Sequence, residues 1–433
     1  MTEGEEEPGT ETYLGWLTVV LGFSLALYRP WVSLASALIM LLWLFGPGIS
    51  RRFSVLRGHR LTLAVLVFLG LNLLSLLWSS DPGAGLRYLT KYRYLLLIPI
   101  IASSVGPVFR RRAETAFILG ATISVALSYG VLTGFLQFRD AHPGNPSPTM
   151  SHLDFSMVLA LASLLILNRA AVAPGTLRRR QACTSSRFSL FEAFPAGSLA
   201  WLACFLFVAS GLLINIGRSG QLAFAGALAV FAIRLAGQRS RIAAVGAVAA
   251  VGLVVVSSYA TVPRFHQRVD AAHHELRDAL ENHQYDSNLG ERVAAMIVSK
   301  DIFRTHPLLG AGVGGAMPAF RNLLDTRFPD LKLAVYWYPH LHNQYLQVVT
   351  QLGLAGLVAL AWIFWELIRD PYPNRATQST AVILACVYIL GFLGDPYLHK
   401  QIPLVAFAIF AGLVSARLPR GPAANSLTPA DHE

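Results

Sequence analysis

Apolar residues dominate long stretches of this chain, and short polar or basic connections separate those stretches. About 20 consecutive apolar residues in a helix can cross the hydrocarbon core of a membrane. The pattern therefore predicts an all-α polytopic membrane protein with about twelve transmembrane helices. The predicted spans are residues 13–28, 31–45, 61–78, 94–105, 115–138, 153–167, 199–216, 222–235, 242–259, 344–368, 376–393 and 402–416.

Arginine-rich connections predict the orientation of these spans. Every second connection is basic, whereas the alternate connections carry few cations. Because Lys and Arg accumulate in cytoplasmic loops, both termini are expected to be cytoplasmic. We expect residues 1–12, which are acidic, and residues 418–433 to be cytoplasmic tails, the first of them disordered. The basic connections are RRFSVLRGHR from Arg51, FRRRAE from Phe109, TLRRRQ from Thr176, GQRSR from Gly237, RDPYPNR from Arg369 and RLPRG from Arg417.

One connection on the opposite, outer face is much longer than the others. Residues 260–343 separate nine predicted helices in 13–259 from three in 344–417, and a loop of this length usually has structure and function of its own. Two helices are predicted in it, one from Arg264 and one capped by Asn288. No repeated segment indicates an inverted-repeat transporter.

Composition narrows the function classes. Hydrophobic residues make up 54% of the chain and charged residues 14%. The formal net charge of +11 would suggest nucleic acid in a soluble domain, but these arginines lie in short loops, so no nucleic-acid partner is expected. Cys204 and Cys386 lie in apolar segments and Cys183 in a basic loop, which gives no disulfide or metal framework.

Two arginines stand out on the predicted outer side. Arg218, in NIGRSGQLAF, lies between two apolar segments, where an arginine costs roughly 2.5 kcal/mol or more unless it faces a wet cavity or an anion. The alternative is an interfacial arginine that reaches lipid phosphates. Arg292, in NLGERVAAM, is either a second anion ligand or an exposed helix residue paired with Asp286.

A basic, tyrosine-rich segment, GLRYLTKYRYLL, adds three more cations, Arg87, Lys91 and Arg93. Arg87, Lys91 and Tyr94 have the spacing of one helical face, which suits an anionic lipid head group. Ordinary anchoring at the membrane interface explains the segment equally well.

The segment HLHNQYLQVVTQLGLAG, from His340 to Gly356, places polar side chains at the start of an apolar helix. Its polar residues share one helical face with His342 at the outer entrance, which indicates a cavity open to the outer face. Gly353 and Gly356 have the small-x-x-small spacing that lets another helix approach closely. The polar residues are Asn343, Gln347, Thr350 and Gln351.

Acidic residues do not form a recognisable metal or glycosidase site. There is no D-x-D, no H-E-x-x-H and no close carboxylate pair in the sequence,. Asp395, in LGDPYLHK, either assists at the site or only caps a helix or pairs with Lys400. A site rich in arginine and histidine favours a phosphate or diphosphate handled without metal, so no metal and no cofactor are expected.

The residues from His342 onward resemble a known motif. HNQYLQVVTQLGLAG is similar to the H-[NSQ]-x9-G-x-x-G motif of bacterial O-antigen ligases and the related O-antigen polymerases. Upstream, GERVAAMIVSKDIFRTHPLLGAGVGGAMPAF resembles the segment in which an arginine opens a helix that ends in a P-L-x-G-x-G turn. GRSGQLAF resembles the family's S-R-G element with the order altered. The similarity covers residues 216–357.

The resemblance implies a glycosyltransferase C-type helical fold in the bacterial inner membrane, with a metal-independent active site facing the periplasm. It implies transfer of a polysaccharide from undecaprenyl diphosphate to the lipid A-core oligosaccharide, with membrane lipids around the protein. On this basis His342, or His340, orients or deprotonates the acceptor hydroxyl for inverting attack. Arg218 and Arg292 hold the diphosphate. The expected substrate-binding residues are Arg87, Lys91, Arg93, Tyr338, Asn343, Gln347 and Asp395.

Other functions stay open from the sequence. An O-antigen polymerase or a ligase that transfers glycans to protein would use the same residues with a different acceptor. A lipid or polysaccharide transporter would also have about a dozen spans, but it would place charged or broken helices near the midplane.

Overall fold

A computed structural model describes residues 9–181, 196–238, 240–261 and 263–416. Most of the predicted N-terminal tail, the predicted tail 418–433 and Cys183 lie outside these residues, whereas residues 10–12 form the first turn of a helix. The described residues form α-helices and short 3-10 turns. The helices are α1 Thr10–Ser24, α2 Arg29–Phe45, α3 Ile49–Leu56, α4 Arg60–Leu74, α5 Pro82–Tyr92, α6 Leu97–Ser104, α7 Pro107–Leu132, α8 His152–Gln181, α9 Ala196–Ile214, α10 Arg218–Gly237, α11 Arg241–Thr261, α12 Pro263–Glu281, α13 Asn288–Thr305, α14 Ala316–Thr326, α15 Lys332–Val335, α16 Gln344–Arg369, α17 Arg375–Gly391 and α18 Gln401–Val414.

Each predicted apolar segment contains a helix, but the helices differ in length. Five are long and apolar enough to cross a membrane: α4 with the 3-10 turn that follows it, α7, α8, α10 and α16. A sixth span results if α2 and α3, which meet at 100°, count as one. The chain is therefore an all-helical polytopic membrane protein. The twelve crossings stay a prediction, because α6 has only 8 residues and several other apolar helices are also short.

The centre of the membrane part is formed by α8, α17 and α18, and α10 packs against α8 and α17. Nearly every side chain of α18 is buried, and so are most of those in the first half of α8. Gly220 lets α10 approach α8 closely, since a Cβ there would overlap the backbone of Ser156. These helices provide the rigid frame to which the polar segments are attached.

The segment between α11 and α16 is predicted to lie outside the membrane, and we call it the extramembrane segment. It has an apolar core of its own. Buried residues of α12, α13, α14 and α15 pack together in it, including Val298, Phe320 and Val335. Both helices predicted in this segment are present, as α12 and α13. The predicted cap is wrong by one residue: Ser287, and not Asn288, accepts the hydrogen bond that caps α13, from the backbone N–H of Gly290 at 3.0 Å.

The helix α16 is interrupted at Gly353, whose φ of 61° and ψ of −153° are not helical. The turn Pro307–Gly312 inserts its backbone at this point and provides the hydrogen bonds that the interruption removes. Ala311 and Gly312 donate to the carbonyls of Thr350 and Gln351, and two N–H groups of α16 donate to Pro307 and Leu308, all at 2.8–3.1 Å.

Glycines make this close approach possible on both sides. A Cβ on Gly353 would overlap the backbone of Leu308, and a Cβ on Gly310 would overlap the backbone of Gln351. Both have positive φ, 61° and 65°, a conformation that costs other residues energy. The prediction that another helix approaches Gly353 is therefore wrong, because the partner is a turn of the extramembrane segment.

We expect Gly353→Ala to destabilise the fold. The new Cβ must displace the turn and adopt a left-handed backbone, which together cost about 1–3 kcal/mol or more. Thermal unfolding of the purified protein in detergent measures the loss. Gly246→Ala in α11 is the matched control, since a Cβ there meets nothing within 4 Å. Equal melting temperatures for the two variants would contradict the assigned role of Gly353.

Candidate active site

His342 lies at the entrance to α16 in a strained conformation. Its φ is 48°, in the left-handed region, which is uncommon for residues other than glycine, although asparagine, aspartate and histidine are enriched there. The next residue, Asn343, starts the helix: its side-chain oxygen accepts from the N–H groups of Tyr345 and Leu346 at 2.9 and 3.1 Å. The predicted substrate-binding role of Asn343 therefore competes with capping. A strained histidine beside a well-capped helix indicates a functional position.

Asp395 joins two histidines and a lysine at this point. Its Oδ1 atom lies 3.5 Å from Nδ1 of His342 and 3.8 Å from Nδ1 of His340. Its Oδ2 atom forms an ion pair with Lys400. Asp395 has no exposed surface, whereas the two imidazoles are 20% and 29% exposed. Two accessible imidazoles thus face one buried carboxylate, which we call the His–Asp cluster.

The ionisation of the cluster follows from these contacts. Burial alone would raise the pKa of Asp395, but its contacts with His342 and Lys400 outweigh burial and lower the pKa,. Burial lowers the pKa of His340 to about 4, and the charges of His342 and Lys400 add to this effect. At neutral pH Asp395 is therefore ionised and His340 is a neutral imidazole.

Arg292 and Tyr338 lie beside the His–Asp cluster. The Tyr338 ring stacks edge-on against His342 with centroids 4.5 Å apart, and its hydroxyl donates to Glu291 at 2.5 Å. Burial raises the pKa of Tyr338, and Glu291 raises it further, whereas the nearby charge of Arg292 opposes the rise. Tyr338 is thus fixed as a neutral hydrogen-bond donor between α13 and the cluster.

Arg218 begins α10 with an exposed side chain. The residue after it, Ser219, packs so closely on Gly394 that a Cβ on Gly394 would overlap it. Because Gly394 precedes Asp395, the start of α10 and the His–Asp cluster lie at the same end of the helices. The structure thus brings Arg218 to the neighbourhood that the sequence predicted, although no direct contact of Arg218 with the cluster is observed.

A cavity of about 560 Å³ opens next to the cluster. Four cationic side chains line it, and we call it the cationic cavity. They come from α5, α14 and the segment before α18, and the lining also includes His340 and His399. Burial lowers the pKa of His399 to about 3, with the charge of Lys91 as the next cause. The four cationic residues are Arg87, Lys91, Arg321 and Lys400.

Only one carboxylate lines the cationic cavity, Asp81. Its Oδ1 atom already accepts from the N–H of Ala84 at 2.7 Å as the cap of α5. Lys400 also pairs with Asp395 outside the cavity, so the other three cations give the cavity an excess of positive charge over Asp81. Such a site favours a compact polyanion, for which clustered guanidinium and ammonium groups are suitable ligands.

The predicted basic face of residues 87–94 is only partly correct. Arg87 and Lys91 line the cavity, but α5 ends at Tyr92 and a 3-10 turn follows. This turn directs Tyr94 into the helix bundle, where Gln401 donates to its hydroxyl at 3.0 Å. Arg93 packs on the Tyr94 ring at 4.5 Å and does not line the cationic cavity.

The predicted polar wall of an open cavity is wrong. Gln347, Thr350 and Gln351 have no exposed surface. Gln347 accepts from the N–H of Leu341 at 3.1 Å, and Gln351 donates to the carbonyl of Val313 at 3.2 Å. These side chains connect α16 to the extramembrane segment, so substrate binding by Gln347 stays a prediction without an accessible surface.

The His–Asp cluster has the chemistry of a metal site, so this possibility needs a test of fit. One ligand atom from each of His340, His342 and Asp395 lies within 4.8 Å of the others. However, Lys400 already neutralises the carboxylate. A divalent ion bound between the histidines and Oδ1 of Asp395 would lie close to this ammonium and would be repelled by it. The residues therefore fit proton transfer better than metal binding.

Sequence reasoning missed Arg321 as a site residue and treated Lys400 only as a pairing partner. Arg321 lies on α14, a short helix with one apolar face, and no motif marks it. Lys400 lies between the two carboxylates Asp154 and Asp395, 3.9 Å from the first. The closeness of Lys400 to Asp395 in the sequence indicated an ion pair between them. It did not indicate that Lys400 also lines a cavity.

The fold and this site define a polytopic helical membrane protein in which a cavity lined by cationic side chains lies next to the His–Asp cluster. Residues 203–361 match the family model described as O-Antigen ligase, which represents the O-antigen ligase superfamily. Members of this superfamily are glycosyltransferase-like enzymes that act with polysaccharides and lipid-linked substrates. The matched residues include Arg218, Arg292, Arg321 and both histidines, whereas Asp395 lies beyond them. No curated protein matches the chain.

Protonation of His340 and His399 should make stability depend on pH. Their pKa values in the folded protein, about 4 and about 3, lie below the ordinary 6.5. The unfolded chain therefore binds more protons below pH 6.5, and the free energy of unfolding falls as the pH drops from 6.5 towards 4. Melting temperatures in detergent at pH 7.5 and pH 5 measure this loss.

Replacing His340 by Gln should reduce that pH dependence. The variant lacks one of the groups that resist protonation in the folded state, so its melting temperature should fall less between the two pH values. His273→Gln is the control, because His273 is exposed on α12. An unchanged pH dependence in His340→Gln would show that His340 is not held neutral by the fold.

Proposed function

We propose that this protein is an O-antigen ligase that transfers a polysaccharide from undecaprenyl diphosphate to the lipid A-core oligosaccharide. The observation that carries the proposal is the position of the cationic cavity directly beside the His–Asp cluster, with His340 in both. Glycan transfer from a diphosphate needs these two functions next to each other. One binds the leaving group and the other activates the acceptor.

The cationic cavity binds the diphosphate of the donor. Negative charge on the diphosphate grows as the glycosidic bond breaks, and preorganised cations stabilise that charge. Arg87 and Arg321 can each present two parallel N–H groups to phosphate oxygens, whereas Lys91 and Lys400 act as point charges. His340 and His399 are neutral, so they do not add charge and can donate or accept hydrogen bonds there.

His342 receives the proton of the acceptor hydroxyl. Its Nδ1 atom faces Asp395, and this carboxylate orients the ring and stabilises the imidazolium that forms, leaving Nε2 for the hydroxyl. The acceptor oxygen then attacks the anomeric carbon opposite the departing diphosphate, with inversion. The bond from carbon to the diphosphate oxygen breaks as the new glycosidic bond forms.

Arg292 and Arg218 complete the diphosphate site at the rim. Arg292 lies close enough to Tyr338 for its charge to act on that ring, and Tyr338 contacts His342. Arg218 begins α10 next to the segment that contains Asp395. Both guanidiniums can therefore reach a donor held across the entrance. We place this reaction on the periplasmic face of the inner membrane, in accordance with the arginine-rich loops at the other end.

A reconstituted reaction tests the proposal. Purified protein is mixed with carrier-linked glycan and rough lipopolysaccharide in detergent, with and without a chelator. We expect lipopolysaccharide ladders in both cases. Loss of activity on chelation, restored by a divalent ion, would instead assign a metal to the His–Asp cluster. Formation of longer carrier-linked polymer would indicate a polymerase, and glycosylated protein would indicate a ligase with a protein acceptor. Absence of transfer unless a sealed membrane is present would indicate a transporter.

His342→Ala should lower transfer by about 10²–10⁴-fold, the range for loss of a general base. Asp395 is a positioning residue, so Asp395→Asn should lower the rate and also shift its pH profile, because the His342 ring loses its anionic partner. Product formation over a range of pH values measures both effects.

His274→Ala is the matched control for these variants, since His274 is an exposed histidine of α12. Melting temperatures verify that each variant is folded. Wild-type transfer by folded His342→Ala protein would contradict its role, and an unshifted pH profile in Asp395→Asn would leave Asp395 with a structural role only.

Arg321→Gln should weaken donor binding about tenfold, the effect of losing one charge-assisted contact with phosphate. The Michaelis constant for the carrier-linked donor measures this change, and the constant for the acceptor should stay the same. Lys300→Gln, at an exposed position of α13, is the control. Equal donor Michaelis constants for Arg321→Gln and wild type would contradict the assignment of the cavity.

Arg218→Lys and Arg292→Lys should also lower transfer, because an ammonium lacks the fork geometry of a guanidinium.

A further inference from the structure

A second basic cavity lies at the opposite end of α17 from the His–Asp cluster. Its volume is about 660 Å³, and residues of α7, α8, α9, α17 and α18 line it. The helix α17 begins at this cavity with Arg375 and ends at Gly391, close to Asp395. At 1.5 Å per residue, the two sites lie roughly 25 Å apart, which is close to the thickness of a membrane's hydrocarbon core. The second cavity, which we call the arginine cavity, therefore lies near the opposite membrane interface.

Four arginines line the arginine cavity, but only one of them forms an ion pair in the described part of the chain. Arg169 pairs with Glu114 at 2.7 Å and lies over the ring of Trp201 at 5.3 Å. The other three line the same space without a carboxylate in ion-pair contact: Arg110, Arg111 and Arg375. One glutamate against four arginines leaves an excess of positive charge that fits an anion.

Asn168 gives independent evidence that a ligand could bind here. It is only 3% exposed, and its amide nitrogen donates to the carbonyl of Ala376 and to Thr380 Oγ1, both at 3.1 Å. These two bonds fix the orientation of the amide, because a carbonyl can only accept. Its oxygen has no hydrogen-bond partner among the described residues, and Asn168 is one of the residues that line the cavity. A buried acceptor of this kind needs a donor.

The start of α17 also faces this space. Asn374 caps the helix by accepting from the N–H of Thr377 at 2.9 Å, whereas Arg375 and Ala376 are among the lining residues. The first N–H groups of a helix have no partner within it, and the helix dipole favours an anion there. Guanidiniums and helix N–H groups thus converge on one location.

The deeper wall of the arginine cavity is apolar. Phe410, Leu413 and Val414 of α18 form it, and Trp201 stands beside Arg169. A free phosphate ion would leave these surfaces unused. A ligand that joins a phosphate to an apolar body would cover them and remove them from water.

We propose that the arginine cavity binds the head group of an anionic phospholipid that carries a hydroxyl, as phosphatidylglycerol does. Its phosphodiester contacts the unpaired guanidiniums and the start of α17. A head-group hydroxyl donates to the oxygen of Asn168, and the glycerol backbone and upper acyl chain pack on α18 and Trp201. Basic pockets between membrane helices are suited to such head groups. The proposal does not depend on the function proposed for the other site.

Native mass spectrometry of the purified full-length protein tests this proposal. Phosphatidylglycerol, phosphatidylmethanol or phosphatidylcholine is added in detergent, and the bound lipid is titrated. We expect one phosphatidylglycerol to be retained. Phosphatidylmethanol, which keeps the phosphodiester charge but lacks the hydroxyls, should bind several-fold more weakly, and phosphatidylcholine weaker still. Equal binding of all three lipids would overturn the proposal.

Variants locate the binding. The double replacement Arg110→Gln and Arg375→Gln should weaken phosphatidylglycerol binding at least tenfold, since two charge-assisted contacts are lost. Arg112→Gln is the matched control on α7, because Arg112 lies over Trp16 and Phe109, outside the cavity. An equal effect of the two changes would overturn the assignment of the site.

Free glycerol 3-phosphate distinguishes a lipid from a soluble phosphate ester. It has the phosphate and the hydroxyls but no acyl chains, so millimolar concentrations should displace little bound phosphatidylglycerol. Full displacement, together with tighter binding of the soluble ester, would contradict a lipid ligand. Melting temperatures in each lipid verify that the double variant is folded.

Discussion

The hydrogen bonds between the turn Pro307–Gly312 and the interrupted helix α16 are the constraint on which the site depends. A helix that lacks regular backbone geometry at Gly353 leaves donors and acceptors without partners, and burying them unpaired is costly. The turn satisfies these groups, so neither the helix nor the turn is complete alone. This mutual dependence fixes the extramembrane segment against the membrane part.

Contacts on either side of the turn extend that constraint. The N–H of Val313 donates to Ser75 at the end of α4, and the backbone at Gly314 lies too close to Asp81 and Gly85 for a side chain. The start of α5 is thereby held beside the start of α14. The helix α5 carries Arg87 and Lys91, and α14 carries Arg321. The cationic cavity forms because the turn brings these helices together.

Lys400 is the counter-charge of two buried carboxylates at the end of the helices where the His–Asp cluster lies. Asp154 and Asp395 are both buried, and two carboxylates of this kind are costly without a counter-charge. One ammonium serves both. As a result the His–Asp cluster keeps an ionised carboxylate beside imidazoles that remain accessible.

The sequence predicted those features that depend on short spacings. Apolar periodicity located the helices, including α12 and α13, and the spacing of four residues placed Arg87 and Lys91 on one face. It could not predict that Arg321 joins them, because that contact depends on how a loop helix docks more than 200 residues further along the chain. Gly353 has the spacing of a helix-packing motif, and only the structure shows that a turn uses the space. Gln347 and Gln351 are buried because the extramembrane segment packs over them, and this packing could not be predicted from spacing either.

The backbone conformation of His342 affects how this protein responds to selection for stability. A left-handed residue other than glycine or asparagine costs of order 1 kcal/mol, so folding alone would favour glycine or asparagine at this position. A laboratory evolution experiment that rewards only thermal resistance should therefore accept such replacements, whereas one that also rewards a working product should reject them. If His342 acts as proposed, the positive φ of this one residue makes the protein less stable than a glycine or asparagine would, in exchange for an imidazole at the entrance to α16.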